Sequence, residues 1–506
     1  MLPFVNSFMS WYLKKRIPVM EYSFANPAEV QYKNFKHLLG QVSNTSFGKE
    51  FKLNEVKTIK QYQERVPLFT YDQLKPYINR VMHGEQNVLW PGETNWFAKS
   101  SGTTSDKSKF IPVSYEALED CHFRGVRDLL AWYYYYNPKA KVFQGKGLIV
   151  GGSHNVNELA DNSFYGDLSA VLMNNLPFIA TQLSTPSRDI ALMPNWDKKL
   201  QKMIDATYQE DVTNISGVPT WTMLLLKGVL EKAGANTIKE VWPNLELYIH
   251  GGVNFNPYKN QFNALLGTDS VKYRETYNAS EGFFGIQDTL NSDMILMLDY
   301  GIFYEFVPLE DINNEHPKCL WIDEVELNVN YAVVLNTNGG LWRYILGDTI
   351  RFTSKGPLRF VISGRTKSFI NAFGEELMVE NAEKAITITQ EKLDCQVSEF
   401  TAAPIYLTTQ SKGRHQWLIE FAKEPADIEE FCKILDLELQ NCNSDYEAKR
   451  HADLALLAPL INICKTGTFT DWMRQNNKIG GQHKIPKLCN NRKILEEILK
   501  IRNEKN

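Results

Sequence analysis

A large N-terminal layered α/β domain with a β-rich portion, followed by a smaller, mobile C-terminal α+β domain, is the architecture that this chain of 506 residues predicts. Three observations carry it. Between positions 147 and 277, short apolar runs alternate with helix-length amphipathic runs, the pattern of helices packed on a sheet. From 294 to 363 the chain reads almost entirely as strands separated by turn residues. Past 364–367 the composition becomes more helical and more charged, so a boundary belongs there. The domains are then 1–363 and 368–506, with 364–367 as hinge.

Composition narrows the class of protein. Hydrophobic residues at 43% and charged residues at 23% fit a soluble globular chain and exclude disorder. A net charge of -4 provides no basic field for nucleic acid. Seven scattered cysteines without C-x-x-C point to a reducing, cytoplasmic setting and away from disulfides or zinc. The N-terminus places its basic cluster, Lys14-Lys15-Arg16, after the apolar residues, the reverse of a secretory signal. No apolar run reaches the roughly 20 residues of a membrane span. Phe4, Phe8, Trp11 and Tyr12 recur at helical spacing, a row that suits either a membrane-surface helix or docking on the body of the protein, and docking on the body is the expectation. A monomer is expected.

Taken in order, 26–95 mixes helical patterns with turns and leads through Trp90, Trp96 and Phe97 into a hydroxyl-rich loop. Ser114 caps a helix over 115–136, whose apolar face includes Leu118, Cys121, Val126, Leu129, Leu130 and Trp132. Strands follow at 147–152, 212–218, 245–249 and 271–277. Helices at 197–208 and 221–232 lie between them, the second ending near Gly234. The strand-rich stretch comprises 294–298, 302–307, 331–335, 341–346 and 358–363, with Asn338-Gly339-Gly340 as a hairpin turn. Helices at 382–393, 426–441 and 492–501 and a strand at 417–421 make up the small domain. There is no internal repeat.

Chemistry concentrates in a few short stretches. The segment 99–112 reads K-S-S-G-T-T-S-D-K-S-K-F-I-P, and cannot form a core. Its hydroxyls (Ser100, Ser101, Thr103, Thr104, Ser105) and the backbone around Gly102 suit phosphate oxygens, with Lys107 and Lys109 adding positive charge. It is not a Walker loop, because Asp106 stands where the glycine before the lysine would be. Tyr277 to Gly282 reads Y-N-A-S-E-G at a strand end, where open α/β sheets place ligands, and Glu281 there offers hard carboxylate oxygen to Mg²⁺. Asp348, closing L-W-R-Y-I-L-G-D-T, is able to accept hydrogen bonds from both hydroxyls of a ribose. Gly364-Arg365-Thr366-Lys367 is a basic loop, and Lys484 rides on G-G-Q-H-K-I-P. Taken singly, each has an ordinary reading: solvated loop, turn carboxylate, capping aspartate, surface lysine.

Together, and in this order over nearly the whole chain, they resemble the auxin-responsive Gretchen Hagen family of acyl acid amido synthetases within the adenylate-forming superfamily. The resemblance implies an ATP- and Mg²⁺-dependent ligase that adenylates a small carboxylic acid and passes the acyl group to an amino acid. It implies phosphate binding by the 100–105 loop, an adenine-side Tyr277, a ribose-binding Asp348, Mg²⁺ at Glu281, a hinge at Arg365 and Lys367, and a catalytic Lys484. An arginine on the 115–136 helix meets the acyl substrate in the family, which singles out Arg127 over the neighbouring Arg124. Asp106 and Ser108 depart from the glycine and proline of the wider superfamily and favour the amide-forming branch. The competing readings are a thioester-forming acyl-CoA ligase and a nucleotide or acyl-adenylate sensor that does not turn over.

Overall fold

The computed structural model describes residues 2–101, 108–151, 156–160, 162–193, 195–366, 368–407, 411–453, 455–476 and 485–505. Two compact units emerge, Met1–Ser100 with Phe110–Thr366, and Ser101–Lys109 with Lys367–Asn506.

The larger unit is built on a twelve-stranded sheet with two characters. Lys272–Ala279, Leu247–Gly251, Val212–Gly217, Lys146–Val150 and Ser184–Thr185 run parallel. The helix Pro219–Ala233 returns the chain between two of them and ends on Gly234, whose φ of +63° suits a residue without a β-carbon. On its other edge Lys272–Ala279 pairs antiparallel with Gly282–Ile286. The sheet continues antiparallel through Met294–Leu296, Leu358–Arg365, Tyr344–Lys355, Asn330–Thr337, Ile302–Pro308 and Leu320–Trp321. The change of direction therefore falls on the Y-N-A-S-E-G hairpin.

Gly282–Ile286, Met294–Leu296 and Ile302–Pro308 are buried almost throughout and read as apolar runs, whereas Leu358–Arg365 is exposed at Ile362 and Ser363. Within Ile302–Pro308 the first six residues are all buried, and the lone charge, Glu305, is neutralised by Arg343 Nη2 at 3.0 Å. Phe123–Tyr136 packs on this half at Gly125, where an added β-carbon would lie 2.4 Å from the Phe283 ring. The expected continuous helix over 115–136 is interrupted: Ala117–His122 is a π turn, although Ser114 does cap its start, accepting from the Ala117 amide at 3.0 Å.

A second sheet of four strands holds Ser108–Val113, Trp96–Ser101, Ser163–Asp167 and Asn157–Ala160. The hydroxyl-rich loop thus links two neighbouring strands. The docking expected of the first aromatic row is overturned. Leu2–Lys14 turns Asn6 and Leu13 inward, with Asn6 bonded to the Ala140 carbonyl at 3.0 Å and to the Tyr134 hydroxyl at 2.6 Å, while Phe4, Phe8, Trp11 and Tyr12 face outward.

In the smaller unit, Gln396–Ile405, Arg414–Lys423 and Leu460–Cys464 form a three-stranded sheet, with Val379–Leu393, Ile428–Cys442, Ser444–Arg450, Thr468–Gln475 and Lys493–Lys505 among its helices. Leu418, Phe469, Trp472, Leu495 and Ile498 belong to its core. Just after the linker, Phe369–Ile370 pairs with Leu377–Met378 around a turn tied by Glu375, which accepts from the Ala372 and Phe373 amides and from His415 Nε2 at 2.8 Å.

Candidate active site

The hairpin Lys272–Ala279/Gly282–Ile286 turns through only two residues, Ser280 and Glu281, since Ala279 faces Gly282 across it. Period-two alternation then places Tyr277 and Ala279 on one face and Asn278 on the other. Tyr277 is buried, its ring 4.9 Å from that of Phe284, and its hydroxyl donates to Asp348 Oδ2. Burial and the adjacent carboxylate raise its pKa far above the ordinary phenol range, so it remains a donor.

Asp348 reaches this position through a local irregularity. Pairing between Asn330–Thr337 and Tyr344–Lys355 jumps from Ala332↔Thr349 to Val334↔Ile345, and Gly347 inside the jump has φ +94°. This bulge re-aims the side chain that follows it. The next hairpin aligns Arg365 with Asp348, and Arg365 Nε meets Oδ1 at 2.7 Å. Among the described residues each carboxylate oxygen thus has one donor. As an ionised carboxylate offers about four lone-pair sites, Asp348 retains acceptor capacity on both oxygens for two further hydroxyls.

Glu281 is partly exposed at the hairpin tip, where the Tyr344 hydroxyl donates to its Oε1 at 3.4 Å. Burial and Glu281 together push the Tyr344 phenol well above its usual pKa. On the other face, His122 Nδ1 lies 2.9 Å from Asn278 Oδ1. Desolvation lowers the His122 pKa to about 4, so the ring is uncharged at neutral pH.

The predicted residues therefore divide. Tyr277, Asp348 and Arg365 form one hydrogen-bonded group. Glu281 sits one turn from Tyr277 and is connected by Tyr344 to the strand of Asp348. Arg127 engages Glu119 instead, through the carbonyl at 2.8 Å and the carboxylate at 3.4 Å, and among the described residues no hydrogen bond or ion pair joins it to that group. Ser100 and Ser101 end the strand that enters the hydroxyl-rich loop. Gly102, Thr103, Thr104, Ser105, Lys367 and Lys484 lie outside the described residues. Sequence reasoning passed over Tyr344, although it stands inside L-W-R-Y-I-L-G-D-T. It also passed over His122, which only the π turn brings to Asn278.

Comparison with known proteins gives a consistent answer. The model of the GH3 family N-terminal domain matches residues 16–271, that of the central domain 295–365, and that of the C-terminal domain 380–493. The jasmonoyl–L-amino acid synthetase GH3.5 of Oryza sativa subsp. japonica is 25% identical over 93% of this chain and 94% of its own length. The indole-3-acetic acid-amido synthetase GH3.3 of Arabidopsis thaliana is 22% identical over 95% and 93%. Among solved structures, the GH3.15 acyl acid amido synthetase in complex with 2,4-DB aligns with a TM-score of 0.60 at 18% identity, covering 96% of each chain, a likeness of fold.

Proposed function

The chain belongs to the GH3 family, and we propose that it is an ATP-dependent acid–amino acid ligase that works through an acyl-adenylate. A carboxylate oxygen of the acid attacks the α-phosphorus of ATP and pyrophosphate leaves. The amine of an amino acid then attacks the acyl carbon, the amide forms, AMP departs and the amine's proton passes to solvent. Named relatives that are amido synthetases over almost the whole chain support the second step as well as the first.

The observation that carries the reading is the Asp348 cradle, a carboxylate oriented by Tyr277 and Arg365 with acceptor capacity left on both oxygens. Asp348 takes the ribose hydroxyls, and Tyr277 holds that carboxylate while lying toward the adenine side. The loop carrying Ser100, Ser101, Gly102, Thr103, Thr104 and Ser105 receives the phosphates, Arg127 the acyl substrate, and Lys484 the charge that develops during adenylation. Arg365 and Lys367 bracket the hinge.

Mg²⁺ fits Glu281: its carboxylate is partly exposed at a hairpin tip, and a cation that keeps waters and phosphates as ligands needs no protein cage. Consistent with that, no cluster of three or more ligating side chains occurs among the described residues. When bound, Mg²⁺ screens the charge of the triphosphate. Seven free cysteines support a reducing, cytoplasmic setting, and no helix among the described residues is long and apolar enough to cross a membrane.

The deciding experiment is exchange of labelled pyrophosphate into ATP, driven by a panel of aryl and alkyl carboxylic acids. Exchange with at least one acid, followed by amide formation when amino acids are supplied, is expected. Thioester formation with coenzyme A in place of the amide would overturn the second step. ATP binding without exchange for any acid would leave only the sensor reading.

A further inference from the structure

The outer face of the first helix carries a surface that the ligase reaction leaves unused. At 100° per residue, positions 4, 8, 11 and 12 of Leu2–Lys14 fall within about 100° of arc. Their side chains are 78% (Phe4), 50% (Phe8), 56% (Trp11) and 50% (Tyr12) exposed, and Val19 and Tyr22 continue the exposure along Ile17–Ala25. Scattered exposed apolar residues are ordinary, but a contiguous aromatic stripe is not. Within the stripe, Phe8 lies 5.9 Å from Trp11 and 6.4 Å from Tyr12, centroid to centroid.

Charge selects the occupant. No acid precedes Glu21, whereas Lys14, Lys15 and Arg16 fall together in a chain whose net charge is -4. Arg16 is neutralised by Asp128 and Asp299, each at 2.8 Å. Lys14 and Lys15 have no carboxylate partner among the described residues. Lys15 Nζ stands 3.6 Å over the Trp11 ring, and both lysines line a shallow groove of about 450 Å³ with Ser7, Ser10 and Trp11. Trp, Tyr and Phe at one level with lysines beside them is the chemistry of a bilayer interface, where rings settle at headgroup depth and ammonium groups reach phosphates. A second copy fits less well, because a two-fold pairing of this face would set its lysines close to like charge.

We propose that Leu2–Lys14 is a docking element for an anionic phospholipid surface, with Phe4, Phe8, Trp11 and Tyr12 entering the interface and Lys14 and Lys15 taking lipid phosphates. The test is co-flotation of the full chain with phosphatidylcholine vesicles, with and without phosphatidylglycerol. Binding to the phosphatidylglycerol vesicles that added salt weakens is expected, with little binding to phosphatidylcholine alone. Lys14→Gln/Lys15→Gln should lower the partition coefficient roughly thirtyfold. Phe8→Ser/Trp11→Ser should lower it at least about tenfold without changing the melting temperature, because these rings are exposed. If that serine pair does destabilise the fold, the lysine pair alone decides. The proposal is overturned if neither vesicle floats the protein, or if the lysine pair leaves flotation unchanged. It is equally overturned if the chain forms a dimer that Phe8→Ser/Trp11→Ser dissociates while vesicles stay unbound.

Discussion

Three arginine–carboxylate pairs in the large unit use the same two functional groups at three depths. Arg343–Glu305 is sealed, its side chains 4% and 0% exposed. Arg365–Asp348 is at 16% and 13%, and Arg127–Glu119 at 36% and 31%. In the sealed pair the hydrogen-bonding capacity is spent: Arg343 also donates to the Gln63 and Val66 carbonyls, and Glu305 accepts from Gln63 and Asn336. In the middle pair, Asp348 is held on both oxygens yet left able to accept more. Depth alone does not separate structure from function here. What separates them is whether the oriented group still has lone pairs to offer.

The largest effect should come from the sealed pair. Arg343→Met leaves Glu305 buried and unpaired, and should cost about 3–5 kcal/mol of unfolding free energy in urea titration. Arg343→Met/Glu305→Leu should recover only part of it, since the uncompensated charge is gone but the Gln63 and Val66 carbonyls and the Asn336 amide lose partners. If the single variant loses less than about 1 kcal/mol, water reaches that site and the contrast with Asp348 fails.

Asp348→Asn should invert the pattern. It keeps the shape but loses the charge and half of the acceptor sites. ATP-dependent pyrophosphate exchange should fall about a hundredfold in kcat/KM, as expected for weakened hydrogen bonds to a charged group. Unfolding free energy should shift by no more than about 1 kcal/mol, because the Asp348 side chain keeps some exposure and an amide oxygen there can still accept from Tyr277 or Arg365. Tyr277→Phe, which removes one donor and leaves Asp348 charged, should cost about tenfold in the same assay. Should Asp348→Asn prove as destabilising as Arg343→Met with exchange intact, Asp348 belongs with the structural pair.

The two better-hidden pairs were unequally legible in the sequence. Asp348 was readable because L-G-D is local: a glycine able to adopt positive φ directly precedes the carboxylate it re-aims. Arg365 was readable only as part of a basic loop, since its partnership depends on hairpin register across 17 positions. Arg343 and Glu305 gave no signal of pairing at all. The strand Gln396–Ile405 was missed for a related reason: Q-V-S-E-F-T-A-A-P-I has no clean period of two, and its first residues owe their conformation to Arg414–Lys423 beside it. The π turn at Ala117–His122 has no compositional mark, so a continuous helix was the natural expectation. On the first helix, periodicity identified the aromatic row but not what lies against it. An amphipathic pattern fixes which residues share a face, and tertiary packing decides whether the body of the protein covers that face.

The third pair sharpens the comparison most finely. Arg127 is half-exposed and held by a carboxylate 3.4 Å away and a carbonyl at 2.8 Å, an arrangement worth at most about 1 kcal/mol to stability. If it exists only to tie down the π turn, Arg127→Gln should lower stability by that small amount and leave catalysis alone. If it also meets the carboxylate of the acid, as proposed, the acid's KM in pyrophosphate exchange should rise about fivefold to tenfold while the KM for ATP stays constant. Glu119→Gln separates the two cases further. It releases the guanidinium from its local partner, so a substrate-binding Arg127 should bind the acid as well as before or better, whereas a purely structural one should behave like Arg127→Gln. Equal KM values for acid and ATP in all three proteins would remove Arg127 from the site.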